Sequence, residues 1–444
     1  MNKITAVLCL LAAGMASTAS AQKEGPVPKG VPHLDHVWVI MMENHGYTQL
    51  RNNPNAPFIN KLANTANTGT NFFAVGHPSL TNYLETVGGS NFGVRNDNSP
   101  AWHVNCAPAL VTGPSLEGAS AICPIQGTGT DAETPALDCT NETTVGPPCT
   151  VANGALIDID GVKSFAPAPT VGKTIADQLY ERGKSWKSYQ ESLPPGGADQ
   201  VNNSDGYFSN LTDFTPYITG GSFSTWTAQG VTIPKITTEA QAHGDIVSLY
   251  AVKHNPFVYF KSVQDGRPDS GNSLQNVAGF VGPGGLYADL GSGKVPDFSF
   301  IAPNQCNDQH ARGNDGPFCN FDATDNGTQS GLNETNILMG DITVKQIVSA
   351  IKASPAWDEG QNAIVVLWDE NDYTATPNHV LLVVDTNYGA KGVQSNNFYT
   401  HFSLLKSLEA GFDLPCLNHA CDAATSAMSD LFAAGGRGNN DGGN

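Results

Sequence analysis

The chain is poor in positive charge. Its 444 residues include 22 lysines and arginines against 41 aspartates and glutamates, a formal net charge of -19. Nucleic-acid binding works by neutralising phosphates with a basic surface, so that class of function is disfavoured. An acidic protein can still take a phosphate ester, provided a metal ion supplies local positive charge. Charged residues of both signs are scarce, 14% against 40% apolar, which excludes a chain disordered through high charge and low hydrophobicity. Long apolar runs are lacking too, and none is long enough to span a bilayer. No C-x-x-C spacing occurs, which places a thiolate zinc site behind disulfides as the reading of the cysteines.

The N-terminus reads as a secretory signal over residues 1–21: Lys3, an apolar run from Ala6 to Ala13, then Ala19-Ser20-Ala21 as the cleavage site. The mature chain is expected to start at Gln22 and to be secreted or periplasmic. Without Cys9, eight cysteines remain, in the local couples Cys106/Cys123, Cys139/Cys149, Cys306/Cys319 and Cys416/Cys421. An oxidising compartment and local spacing suggest four disulfides, with the connectivity left open. Residues 22–432 read as one domain. A Gly-, Pro- and Thr-rich stretch at about 99–167 reads as a disulfide-stapled insertion, and 433–444 as a disordered tail.

Three runs are almost wholly apolar: His36–Met42, Ala363–Trp368 and Val380–Val384. Such runs fit strands buried on both faces. Helical periodicity lies between them, with Ile175 and Leu179 on one face and Val344, Ile347, Val348 and Ile351 on another. The alternation predicts an α/β fold with a mostly parallel central sheet flanked by helices. Ligands bind beyond the carboxyl ends of such strands. Two runs deliver oxygen-bearing side chains there, three carboxylates and one amide: Glu43 and Asn44 after the first, Asp369 and Glu370 after the second. Carboxylates brought together in this way call for a hard divalent cation, although each could equally be a solvated strand end.

Three further clusters carry polar groups. Ser79 and Asn82 come just after His77-Pro78, where a serine at a helix start is either a nucleophile beside the backbone N–H groups or an ordinary cap. Asp308 and His310 lie in a loop after Phe298–Ile301. His401 opens an amphipathic stretch bearing Phe402, Leu405 and Leu408 on one face.

Together these segments resemble a known family: ENHGY (43–47), HPSLTNY (77–83), WKSYQESLP (186–194), KHNPFVYF (253–260), PNQCNDQH (303–310), DEND (369–372) and YTHFSLLKSLE (399–409). The likeness is to the bacterial phosphoesterase family of acid phosphatases and phospholipases C, which has an alkaline phosphatase-like fold. The resemblance implies a hydrolase acting on phosphate esters, with residues 22–432 as its single domain. It implies Ser79 as nucleophile, Asn82 toward a phosphoryl oxygen, and Glu43, Asn44, Asp369 and Glu370 as metal ligands. His77, Asp308, His310 and His401 match polar groups around the phosphate, with His310 or His401 as proton donor. The cation could be Mg, Ca, Mn or Zn. Phosphate monoesters hydrolysed through a phosphoserine are the expected substrates, since an acidic surface is repelled by anionic lipid and relatives that cleave phospholipid head groups often extend further at the C-terminus. Phospholipase C action on phospholipids and a non-enzymatic secreted binding protein are the alternatives. The oligomeric state stays open.

Overall fold

A computed structural model describes residues 24–94, 96–106, 121–131, 168–194, 196–202, 204, 249–310, 334–372 and 378–432, and the short strand segments 145–146, 150–151, 207–209, 226–228, 231–233 and 246–248. The signal peptide (1–21) and tail (433–444) expected from the sequence lie outside these residues.

The centre of the molecule is built from the apolar runs. Strand β1 (His36–Met42) has six of its seven residues buried. Removing six such side chains from water is worth on the order of 10 kcal/mol before chain entropy is subtracted. After β1 come helix α1 (Pro57–Thr65), strand β2 (Asn67–Phe73) and helix α2 (Ser79–Gly88). Helix α3 (Ile175–Glu181) and strands β3 (Trp186–Gln190), β4 (Val277–Ala278) and β5 (Phe298–Ala302) are next. Further along lie α4 (Glu334–Ala353), β6 (Asn362–Trp368), β7 (His379–Thr386), β8 (Gln394–Ser395), β9 (Tyr399–Thr400) and α5 (His401–Gly411).

These nine strands form one sheet in the order β4-β3-β5-β1-β6-β7-β2-β8, with β9 also paired to β2. Central β1 is parallel to β5 on one side and to β6 on the other. The expected mostly parallel sheet with flanking helices is therefore present, and the third apolar run is its exception. β7 is antiparallel to both β6 and β2. Residues 369–378 link β6 to β7, and a connection that short between neighbouring strands reverses the chain. Asp369 and Glu370 thus begin the connection between two antiparallel neighbours. Asp385, near the far end of β7, falls at the opposite edge, where Lys391 bonds it at 2.9 Å.

Helix starts obey local chemistry. Thr174 caps α3 by accepting from Ala176 at 3.2 Å, and Asp177 returns a bond to the Thr174 N–H at 2.8 Å. α1 begins at Pro57 and is capped from α4, where Asp341 accepts from Phe58 at 3.1 Å and Ile59 at 2.7 Å. Cys106–Cys123 and Cys416–Cys421 are disulfides. Cys306 is also disulfide-bonded, while Cys139, Cys149 and Cys319 lie outside the described residues. Within the 99–167 stretch, Thr128–Thr130 pairs antiparallel with Pro169–Val171, which lies just beyond it. Most of that stretch lies outside the described residues. No described helix is long and apolar enough to cross a membrane.

Candidate active site

Parallel strands point their carboxyl ends the same way, so the segments just beyond β1, β2, β5, β6 and β9 gather at one edge. Glu43 and Asn44 come after β1; Ser79 lies shortly beyond β2; Asp308 and His310 come after β5; Asp369 and Glu370 after β6; His401 after β9. All of these are buried. Backbone bonds stitch the loops together. The Glu43 N–H donates to the Asp308 carbonyl at 2.9 Å, and the Asp369 N–H donates to the Met42 carbonyl at 3.0 Å. The Asn44 N–H reaches Asp369 Oδ1 at 3.1 Å.

Ser79 does not cap its helix. Pro78 occupies the N-cap position of α2, and no side-chain cap bond is made there. Instead Ser79 Oγ lies 3.1 Å from Glu43 Oε2 and 3.4 Å from Glu370 Oε1. A hydroxyl has one proton and can satisfy only one of those oxygens at a time. Asn82 Oδ1 accepts from the Val75 and Gly76 N–H groups at 3.2 and 3.1 Å. Its Nδ2 donates to the Gly76 carbonyl and to Glu370 Oε2, both at 2.9 Å. The amide thus holds the turn before Ser79 against Glu370. His77 Nδ1 sits 2.9 Å from Glu370 Oε2. Burial pushes His77 down to about 3, so its ring is neutral at ordinary pH.

The Asp308 loop is held in an unusual shape. Gln309 has φ 84, in the left-handed region that costs a non-glycine residue energy. Its side chain accepts from Trp368 Nε1 at 2.8 Å and donates to the Ile337 carbonyl at 2.9 Å. Gly340 of α4 makes room for it, since a Cβ there would lie 2.2 Å from Gln309 Cγ. The loop so fixed presents Asp308 and His310, joined by a 2.7 Å bond from the His310 N–H to Asp308 Oδ1. His401 Nε2 donates to the Asp369 carbonyl at 2.6 Å, and burial lowers its pKa to about 4.

Three participants were not singled out from the sequence. His254 Nε2 lies 3.0 Å from Glu43 Oε1, and its Nδ1 lies 3.4 Å from Asp308 Oδ2. Tyr83 donates to Glu43 Oε1 at 2.6 Å and stacks on the His254 ring at 5.1 Å and 7°. Lys253 Nζ is 3.4 Å from His310 Nε2. The available signal was a basic pair, Lys253-His254, inside the buried run that ends at Phe260. Polar residues in so apolar a context are rarely idle.

Electrostatics divide the carboxylates. Burial opposes ionisation of Glu43, yet His254, His310 and Lys253 nearby hold it down at about 2. Burial likewise opposes charge on His254, but Glu43 and Asp308 raise it to about 10. Burial raises Asp308 to about 7 despite His254. Burial and then the Glu43 charge push Asp369 well above the usual carboxylate range. With Lys253 already paired to Asp97 at 3.1 Å, the nearby imidazoles do not match the four buried carboxyl groups of Glu43, Asp308, Asp369 and Glu370. Asp369 Oδ2 has no hydrogen-bond donor among the described residues. One ligand atom each from Glu43, His254 and His310 lie within 4.8 Å of one another. The donor set therefore fits a divalent cation.

A buried hydroxyl set between two carboxylates at the carboxyl edge of an α/β sheet is an arrangement suited to a nucleophile. The chain belongs to the Phosphoesterase family, whose profile matches residues 51–415. It is 23% identical to an acid phosphatase of Aspergillus fumigatus over 414 residues, covering 92% of this chain and 61% of that one. With a phosphate-repressible acid phosphatase of Penicillium chrysogenum it shares 24% identity over 409 residues, 90% of this chain and 65% of that one. The chain thus spans less than two thirds of the length of these two relatives. A phosphatidylinositol-3-phosphatase of Mycobacterium tuberculosis is 32% identical over 97 residues, 21% of this chain and 32% of that one. A structure described as a protein in the alkaline phosphatase superfamily, from Vibrio parahaemolyticus, overlays with a TM-score of 0.41 at 11% identity, over 90% of this chain and 72% of that one.

Proposed function

We propose that the chain is an acid phosphatase-type enzyme of alkaline phosphatase-like fold that hydrolyses phosphate monoesters through a phosphoserine at Ser79. The observation that carries this reading is the Ser79 hydroxyl, buried at a helix start but aimed at Glu43 and Glu370 instead of capping. Glu43, at 3.1 Å, orients the Ser79 hydroxyl, and Glu370, at 3.4 Å, takes its proton as Oγ attacks phosphorus. Glu43, Asn44, Asp369 and Glu370 would hold a divalent cation, with His254 as a nitrogen ligand beside Glu43. When bound, that cation stabilises an alkoxide and a phosphoryl oxygen and lowers the barrier by several kcal/mol. Asn82 contacts the phosphoryl group by exchanging its Glu370 bond for it. His77, Asp308 and His310 line the phosphate position, and His310 gives a proton to the leaving alkoxide. His401, committed to the Asp369 carbonyl through Nε2, braces the loop and is the second candidate for that donor. Water then releases phosphate from Ser79.

The four expected disulfides, two of them formed by described cysteines, fit an exported protein, secreted or periplasmic. Comparing a chromogenic phosphate monoester with its phosphocholine diester tests the reading, with and without chelator. Faster release from the monoester, abolished by chelation, supports it. Faster release from the diester supports phospholipase C action, and no release from either supports a binding protein.

A further inference from the structure

Lys253 is 1% exposed, the only lysine or arginine buried among the described residues. An ammonium is kept out of water only beside close partners. Its Nζ lies 3.1 Å from Asp97 Oδ2 as well as 3.4 Å from His310 Nε2. The other Asp97 oxygen accepts the N–H of Leu80, the residue after Ser79, at 3.0 Å. Asp97 therefore caps α2 from outside the helix, a task that Pro78 lacks the side chain for and that Ser79 does not perform. The next residue in the same turn, His254, grips Glu43 at 3.0 Å, and Glu43 meets the Ser79 hydroxyl. One short segment, Val252–His254, thus holds Ser79 from two sides: Lys253 through the backbone and His254 through the hydroxyl's partner.

We propose that Lys253 is a positioning residue that acts on Ser79 through Asp97, fixing the first turn of α2. This rests on the reading of Ser79 as nucleophile. Deprived of Lys253, Asp97 becomes a buried carboxylate without that cation. It then takes up a proton or swings toward water, and in either case the Leu80 N–H loses a charged acceptor. In-line attack tolerates little displacement, and a shift of 1 Å costs about a hundredfold in rate.

The test uses the metal-replete protein and a chromogenic phosphate monoester. Lys253→Met lowers kcat about 100-fold while KM changes little, and Lys253→Arg recovers most of the loss. Lys253→Met combined with Asp97→Asn costs no more than the worse single change, because both act through one contact. Amide exchange over the peptide containing Leu80 speeds up in Lys253→Met and in Asp97→Asn, a readout that does not require turnover. If Lys253→Met fails to fold, the Arg and Asn variants carry the same readouts. A rise in KM with multiplying losses would mean that Lys253 holds substrate directly, and would overturn the proposal. Unchanged Leu80 exchange in the folded variants would overturn it as well. A wild type without turnover whose Leu80 exchange still depends on Lys253 supports the positioning and overturns the hydrolase reading instead.

Discussion

Tyr83→Phe removes a single oxygen atom from the centre of the site. The phenol donates to Glu43 Oε1 at 2.6 Å, and both residues are fully buried. The ring stacks on His254 with its planes 7° apart, and phenylalanine keeps that contact. The loss is then one charge-assisted hydrogen bond, worth about 1.5–3 kcal/mol. Glu43 Oε1 keeps its 3.0 Å contact with His254, so the cost falls toward the lower end of that range. In a chain of this size the melting temperature drops by only a few degrees. The larger effect is on cation binding, because Tyr83 orients a proposed ligand. Loss of such an orienting partner typically weakens metal affinity 10–100-fold. Metal titration of the stripped protein, then turnover at saturating metal, separates the two effects. Tyr83→Phe should need more metal and recover most activity when saturated. Wild-type metal affinity in a Tyr83→Phe protein of wild-type stability would refute the idea that Glu43 is a ligand held by Tyr83.

Away from the site, His419 carries a pH dependence of stability. Its Nε2 lies 3.0 Å from Asp131 and its Nδ1 2.7 Å from Asp422; burial opposes its charge, but the two carboxylates raise it to about 9. A folded-state value above the unfolded value of about 6.5 gives stability that is complete below pH 6.5 and is lost as pH rises toward 9. Urea melts should show His419→Gln further below wild type at pH 6 than at pH 9.5, by up to about 3 kcal/mol. An equal gap at both pH values would contradict this. The Cys106–Cys123 bridge closes a loop of sequence separation 17, and replacing both cysteines by serine should cost about 3 kcal/mol in the same assay. Chelation should lower the melting temperature reversibly, by about 2.7 kcal/mol of stability when wild type sits at a hundredfold excess of metal over Kd.

The parts of the fold legible in the sequence were those whose environment is uniform. β1, β6 and β7 are buried on both faces and read as unbroken apolar runs. β2, with the sequence NTGTNFF, was missed because its polar residues break the apolar pattern, and the partners that satisfy them come from the fold: Thr68 Oγ1 donates to the nearby Ala63 carbonyl at 2.7 Å, but Thr70 Oγ1 donates to the sequence-distant Ser395 carbonyl at 2.7 Å. β7's antiparallel sense was equally hidden, because periodicity carries no direction. Among candidate site residues, acids at strand ends stood out because the sheet dictates where ligands bind. The anion-binding helix start foreseen at Ser79 looks different at Leu80, whose N–H is already taken by Asp97. Asp97, Lys253 and His254 come from loops and a single short turn, where no period exists to flag them. Only the fold brings them beside Glu43 and α2.

The central claim is that Ser79 attacks phosphorus. Acid quenching during turnover of a radiolabelled phosphate monoester, with peptide mapping of the quenched protein, tests it most directly. The account predicts label on the peptide containing Ser79, and no label with Ser79→Ala. It also predicts that metal-replete Ser79→Ala loses turnover at least about a thousandfold, while its stability changes by only about 1 kcal/mol. Near-normal turnover in a metal-replete Ser79→Ala protein, or label on another residue, would contradict it.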